Sequence, residues 1–277
     1  MALREKVRYN GDGREGLAIK VCSFNVNSIR AREELFFDWL EKREQDIDVL
    51  CLQELKVEES LFPWKAFEER GYSCLVFGQK AYNGVAVCTR GEAGEAFRGF
   101  GHEKWDQQKR LAGCKTGGVR VLSAYVPRGG ERGTDKHGYK LDWYKYLRGF
   151  LEENFSPDEP LLLAGDFNVA LKDRDVYDPA HLKDVIGTMP EEREALQEIL
   201  DWGLTDAFRS LYPEEPGFTW WSYMAGDIWK DRGMRLDYLL CTPPLAERLK
   251  GAEVDMWPRR RRKPTPSDHA PLIAEFV

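Results

Sequence analysis

Apolar bursts of strand length alternate with amphipathic stretches along this chain, and the alternation starts near Ala18. Ile19–Phe24, Val49–Gln53, Ser73–Phe77, Gly84–Cys88, Val119–Tyr125, Leu161–Ala164, Leu236–Cys241 and Leu272–Phe276 read as strands. Between them, Glu33–Lys42 puts Leu35, Phe36, Trp39 and Leu40 on one helical face. Pro190–Trp202 opens with proline and acids, carries Ala195, Leu196, Ile199 and Leu200, and stops at Gly203, as a capped helix does. Alternating strands and helices predict a layered α/β chain. Its long connections, Arg90–Ala112, Arg128–Lys140, Leu171–Met189 and Pro213–Asp231, follow strands that end in reactive residues, where lids and binding loops are found. Residues 1–17, with Asn10-Gly11-Asp12-Gly13, predict a loosely ordered extension ahead of one domain over 18–277.

A length of 277 residues suits one large α/β domain. No apolar run approaches the roughly 18 residues that cross a bilayer, and Met1–Lys6 lacks the apolar stretch of a secretion signal. The expectation is a cytoplasmic protein with no membrane partner. The six cysteines form no C-x-x-C pair and sit in apolar sequence, which predicts reduced structural thiols. A net charge of -6 weighs against a polyanionic partner, although a metal-dependent site would itself concentrate carboxylates. The cations are clustered: Arg128, Arg132, Lys136, Lys140, Lys145 and Arg148 fall in one span, and Arg259–Lys263 is unbroken. Such runs are either solvated loops or phosphate contacts, and the sequence leaves both open.

The strongest local signal is Leu161-Leu162-Leu163-Ala164-Gly165-Asp166-Phe167-Asn168. An apolar strand delivers at its carboxyl end an acid and an amide two residues apart, which share a side in extended geometry; a simple Asx turn is the bland alternative. The same device recurs in Cys51-Leu52-Gln53-Glu54 and in Ser23-Phe24-Asn25-Val26-Asn27. Asp237 lies inside Arg235-Leu236-Asp237-Tyr238, where a buried acid needs a partner, and His269 of Ser267-Asp268-His269 is a candidate for it. Glu54, Asp166, Asp268 and the amides are hard oxygen donors, accompanied by one histidine and no cysteine. That set suits Mg²⁺, with Mn²⁺ as substitute, rather than zinc, and points to hydrolysis of a phosphate ester.

Taken in order, Ser23–Asn27, Leu52-Gln53-Glu54, Tyr82-Asn83-Gly84-Val85-Ala86, Ala124-Tyr125-Val126-Pro127, Gly165–Asn168, Arg235–Tyr238 and Ser267-Asp268-His269 resemble the exonuclease III family of abasic-site endonucleases. That family serves base excision repair within the endonuclease/exonuclease/phosphatase superfamily. The resemblance runs from about Ala18 to Val277, and Ala124–Pro127 with Phe218-Thr219-Trp220-Trp221 points to the repair branch. It implies a four-layer α/β sandwich of deoxyribonuclease I type, with two packed mixed sheets flanked by helices. It also implies Mg²⁺-dependent cutting 5′ to abasic sites in duplex DNA by a monomer, with 3′-5′ exonuclease or end-trimming activity.

By position, the resemblance makes Glu54 the metal carboxylate, with Asn25, Asp166, Asn168, Asp268 and His269 as direct or indirect ligands. Asp166 becomes the proton donor or acceptor and Asn168 a stabiliser of phosphate charge. His269, oriented by Asp237, binds phosphate or activates water, and Tyr125 reaches the phosphate. Asn27, Arg128, Phe218, Trp220, Met224 and Met234 become candidate DNA contacts, with Trp229 as a further wedge. A core role for Tyr125 and for the aromatic cluster is the alternative reading. Three departures stand out: Leu55 where the family usually has Thr, Arg128 where Asn is common, and Asp106–Arg110 in place of an acidic-Gly-Arg segment. The rival functions are another superfamily phosphoesterase, such as an RNA deadenylase or a small-molecule phosphatase, and a catalytically silent nucleic-acid-binding relative.

Overall fold

The computed structural model of the protein describes residues 18–43 and 46–277. The extension expected over 1–17 lies outside the described residues. In chain order the strands are β1 (Ile19–Asn25), β2 (Val49–Gln53), β3 (Ser73–Phe77), β4 (Val85–Thr89), β5 (Gly94–Arg98), β6 (Leu111–Thr116) and β7 (Val119–Tyr125). There follow β8 (Leu161–Asp166), β9 (Thr205–Asp206), β10 (Trp220–Trp221), β11 (Gly233–Met234), β12 (Asp237–Cys241), β13 (Leu249–Val254) and β14 (Leu272–Phe276). One mixed sheet has the order β13-β14-β1-β2-β4-β3 and the other β5-β6-β7-β8-β12-β9, while β10 and β11 form a separate ribbon.

The two-residue period of the strands explains the layering. Val21, Val49, Cys51 and Val87 of the first sheet pack against Val121, Leu162, Ala164 and Leu239 of the second, closing a dry core between the sheets. Residues of the opposite parity face outward: Cys22, Phe24, Leu50 and Leu52 receive Phe36, Trp39 and Leu40 of the helix Glu33–Lys42. On the other side Leu122, Leu161, Leu163 and Tyr238 receive the helices Asp135–Asn154 and Pro190–Leu200. Helix, sheet, sheet, helix is the four-layer sandwich expected from the sequence.

Among the differences from the sequence reading, two bear on residues near the site and on the cysteines. The 20-residue helix Asp135–Asn154 begins inside the expected loop Arg128–Lys140. Its buried stripe, His137, Lys140, Trp143, Tyr144, Leu147 and Leu151, has helical spacing, but a buried histidine and lysine make its first turns look polar. Cys74 and Cys88 were expected as reduced thiols; the β3/β4 register places them directly opposite each other, and they are joined as a disulfide. Cys22, Cys51, Cys114 and Cys241 are free and buried.

Candidate active site

Strand direction gathers the functional side chains at one end of the sandwich. β1 and β2 are parallel, with Asn25 beside Gln53, so Asn27, two residues past β1, and Glu54, the residue after β2, emerge at the same end of the sheet. β7 and β8 are likewise parallel, with Tyr125 beside Asp166, and antiparallel β12 sets Asp237 opposite Asp166. Tyr125, Asp166 and Asp237 therefore form a row across the second sheet, facing the ends of β1 and β2. A Cβ at position 165 would overlap the Ala124 carbonyl, so glycine is what lets β8 bring Asp166 against β7. Asn27, Glu54, Lys56 and Asn168 all have left-handed backbone, with φ of 45, 52, 52 and 53°. Each such residue costs on the order of 1 kcal/mol or more, and clustered strain of this kind marks functional sites.

Hydrogen bonds tie the row together. The Asn25 amide donates to Glu54 Oε1 (3.0 Å) and to Asp166 Oδ2 (2.9 Å), spanning the two sheets. Tyr125 donates its hydroxyl to Glu54 Oε1 (2.7 Å), while Lys56 Nζ meets Glu54 Oε2 at 2.7 Å and Asn27 Oδ1 at 2.6 Å. Asn168 donates through its backbone to Asp166 Oδ1 (2.9 Å) and through its side chain to the Val126 carbonyl (2.9 Å). His269 Nδ1 lies 2.8 Å from Asp237 Oδ2, and its Nε2 lies 3.7 Å from Asp166 Oδ2. Asp268 accepts from Asn27 Nδ2 (2.8 Å) and from the Trp220 indole (3.0 Å).

Burial penalises every charge here, and the neighbours decide which survive. Burial would raise Glu54, but hydrogen bonds from Asn25, Lys56 and Tyr125 outweigh it and hold the carboxyl below the usual glutamate range. Asp166 is raised to about 7, chiefly by burial; the His269 charge opposes the shift and the Asp237 charge adds to it. Burial would lower His269, yet the charges of Asp237 and Asp166 raise it to about 10. Tyr125 is pushed well above its ordinary value by burial and by the Glu54 charge, so its hydroxyl stays a donor. The result is an ionised Glu54, a cationic His269 and an Asp166 poised near neutrality.

These groups open onto a cleft of about 580 Å³ whose walls include Asn27, Glu54, Tyr125, Arg128, Asn168, Asp268 and His269. Trp220, Tyr223, Met224, Met234 and Leu236 supply its apolar side. Trp220 is held by its indole bond and by a backbone bridge to His269, so the β10/β11 ribbon leans on the catalytic end. Met224 (73% exposed) and Trp229 (57%) project into solvent, whereas Met234 (7%) is packed with Ala170, Val176 and Leu236 as cleft wall. Phe218 is half-buried and lies on the far side of the ribbon, in a different cavity with Trp221 and Phe208.

Of the basic span, only Arg128 lines the cleft. Arg132 is paired with Glu191 and Asp184, and Lys140 is fully buried on Glu192 and the carbonyls of Arg128 and Asn168.

Four participants escaped the sequence reading. Lys56 contacts Glu54, and Arg110 stacks its guanidinium 4.5 Å from the Tyr125 ring centre while donating to that residue's carbonyl. The Tyr223 hydroxyl receives Asn27 and Arg32 and donates to the Pro266 carbonyl. Buried Thr219 receives the backbone N–H groups of Leu236 and Asp237 on its hydroxyl, fixing the start of β12. Lys56 stands two residues after Glu54, and Arg110 and Thr219 fall in segments that the sequence reading marked without giving them a role of their own; the contacts of all four are set by long-range register and packing.

The donor set fits a hard divalent cation. Asp166, Asp237 and His269 are close enough together to share an ion. In that trio, however, His269 Nδ1 and Asp237 Oδ2 are engaged with each other, as in an orienting pair. Ionised Glu54 on the cleft wall, with Asp268 and the Asn27 carbonyl oxygen nearby, is the better seat. An ammonium, that of Lys56, already bridges Glu54 and Asn27 there, so these oxygens are arranged to receive positive charge.

Residues 22–269 match the endonuclease/exonuclease/phosphatase family. The chain belongs to that family. Within it, the chain is 36% identical over 270 residues to exodeoxyribonuclease III of Haemophilus influenzae, covering 93% of this chain and 100% of that protein. An AP endonuclease from Archaeoglobus fulgidus superposes with a TM-score of 0.89 at 37% identity, over 93% of this chain and 99% of the other. A 3′ phosphatase from Neisseria, bound to a product DNA hairpin, superposes with a TM-score of 0.87 at 35% identity, over 94% and 99%. The fold shared with these structures is the deoxyribonuclease I-like sandwich, and metal dependence is typical of the family. Among the described residues of this family member, no helix is long and apolar enough to cross a membrane.

Proposed function

We propose that this protein is a Mg²⁺-dependent repair nuclease that hydrolyses the phosphodiester 5′ to abasic sites in duplex DNA and trims 3′ ends. Mn²⁺ can take the place of Mg²⁺, and the enzyme works as a cytoplasmic monomer. The observation that carries this reading is the paired arrangement at the cleft: cationic His269 on Asp237, beside Asp166, across from ionised Glu54. A phosphodiester needs its negative oxygens neutralised, a water deprotonated and a leaving oxygen stabilised, and the groups divide along these lines.

Glu54 and Asp268 would hold the ion, with Asn25, Asn168 and the buried carboxylates fixing the surrounding shell. When bound, Mg²⁺ supplies Lewis-acid neutralisation of the phosphate and of the leaving oxygen. His269 presents Nε2 as a cationic donor to a phosphate oxygen, because Asp237 fixes the ring and stabilises its charge through Nδ1. Asp166, lifted to about 7, can take a proton from the attacking water. Tyr125 keeps its proton and offers a hydroxyl to the phosphate, and Asn168 adds its amide. A base-less sugar leaves the stack at little cost and fits between Trp220, Met234 and Leu236.

The name of the Haemophilus relative, an exodeoxyribonuclease, and that of the Archaeoglobus protein, an AP endonuclease, support DNA as substrate over RNA or a small phosphoester. The Neisseria 3′ phosphatase supports the end-trimming activity. The chemistry is tested by the ends it leaves. Cut duplex carrying one reduced abasic site should give a 3′-hydroxyl that a DNA polymerase extends; a 3′-phosphate or blocked end would defeat the assignment of the scissile bond.

A further inference from the structure

The run Arg259-Arg260-Arg261-Arg262-Lys263 takes no part in the chemistry derived above, yet it leads directly into Ser267-Asp268-His269. Its first member is turned inward. Arg259 is 4% exposed and donates to the carbonyls of Trp221 (3.0 Å) and Asp268 (3.2 Å), which fastens the run to the catalytic end. Its other four members are exposed.

Among the described residues, Arg260, Arg261, Arg262 and Lys263 make no ion pair with a carboxylate, although the chain is acidic overall and other surface arginines such as Arg120, Arg132 and Arg148 are paired. Instead the guanidiniums lie on aromatic rings: Arg261 is 4.3 Å from the Trp257 ring centre and Arg262 5.5 Å from that of Trp229. Stacking of this kind steadies the planar fork while leaving its charge uncompensated. Trp229 lies near the end of the helical turn Met224–Lys230 that starts at the cleft, so Arg262 is tied toward the cleft rim, while Arg260 borders the neighbouring cavity of Phe218 and Trp221.

We infer that Arg260, Arg262 and Lys263, with Arg262 steadied by Trp229 and the intervening Arg261 by Trp257, form a second contact surface for the phosphate backbone of the duplex arm flanking the cut site. The inference rests on the DNA substrate proposed above. Four adjacent cations without a carboxylate partner, on a chain of net charge -6, suit an anionic partner of repeating charge, and the tie of Arg262 to the turn that starts at the cleft makes that partner the same duplex.

The test uses the full chain in EDTA, so that binding is read without cutting. Anisotropy of a labelled 30-base-pair duplex is followed against salt for the wild type and for the combined variant Arg260→Ser, Arg262→Ser, Lys263→Ser, with thermal melting as the fold control. Each phosphate contact contributes roughly 0.9 to the slope of log affinity against log salt, so the triple variant should lose about 2 to 3 from the slope. An unchanged slope in a folded variant overturns the inference. So does the pattern in which the variant loses affinity for phosphatidylserine vesicles while its DNA slope is intact, since the surface would then belong to a membrane. Failure of the wild type to cut abasic DNA, with the slope difference present, would remove the proposed reaction and leave the DNA surface standing.

Discussion

Asn25 donates one amide to Asp166, at 2.9 Å across the gap between the two sheets, and the same amide reaches Glu54. Two carboxylates from different sheets are thus kept apart and oriented by a single side chain that carries no charge. Asn25→Ala should take one donor from each acid, leaving Glu54 to Tyr125 and Lys56 and Asp166 to Asn168. We expect a stability loss of about 1–3 kcal/mol, the cost of unsatisfied buried polar groups, with incision falling at least 100-fold. Urea melts and single-turnover incision measure the two effects; wild-type turnover in Asn25→Ala would show that the bridge is not needed.

The histidine gives a pH signature. His269 is raised to about 10 by Asp237 and Asp166, so its stabilising contribution is fully present below its unfolded value of about 6.5 and is lost as pH rises through 10. Asp166, raised to about 7 by burial, acts in the same direction at lower pH: its neutral form suits the fold, and stability falls as pH rises toward 7. Metal-free protein should therefore lose Tm steadily between pH 7 and 10, and His269→Gln should flatten that decline. A wild-type Tm constant over this range would contradict the buried cation.

Metal affinity should follow Glu54. Glu54→Gln keeps the hydrogen-bond acceptor for Asn25 and Tyr125 but removes the charge, so half-maximal incision should need on the order of tenfold or more Mg²⁺. A metal titration of the incision rate checks this; the opposite outcome, an unshifted titration, would move the ion to the Asp166 and Asp237 side.

Arg110 acts on Tyr125 through ring stacking and the backbone. Arg110→Lys should lower kcat on the order of tenfold with KM little changed, as expected when a group used in the transition state loses its orientation. A rise in KM alone would mark Arg110 as a DNA contact instead.

The fold's central elements were legible because their signals are local. β1, β2, β7, β8 and β14 are apolar runs of the right length, and an acid directly after such a run marks Glu54 and Asp166 without knowledge of the fold. The outer strands β5 and β13 were not legible: both are largely exposed edges without a clear apolar alternation. The helix Asp135–Asn154 was hidden by Lys140, whose burial makes sense only once Glu192, far along the chain, is placed beside it. Arg110 and Tyr223 escaped for the same reason, since their partners Tyr125, Asn27 and Pro266 are fixed by sheet register and loop packing. The Cys74–Cys88 pair likewise depends on β3 and β4 being neighbours.

The central claim is that Glu54, Asp166, Asp237 and His269 form one metal-dependent phosphodiester centre. Single-turnover incision of a duplex with one reduced abasic site, in Mg²⁺ and in EDTA, tests it for the wild type, Asp166→Asn and His269→Ala. The account predicts fast cutting by the wild type in Mg²⁺ only, and a loss on the order of 10³-fold or more in each variant with fold retained. Incision in EDTA, or near wild-type rates in either variant, would contradict it.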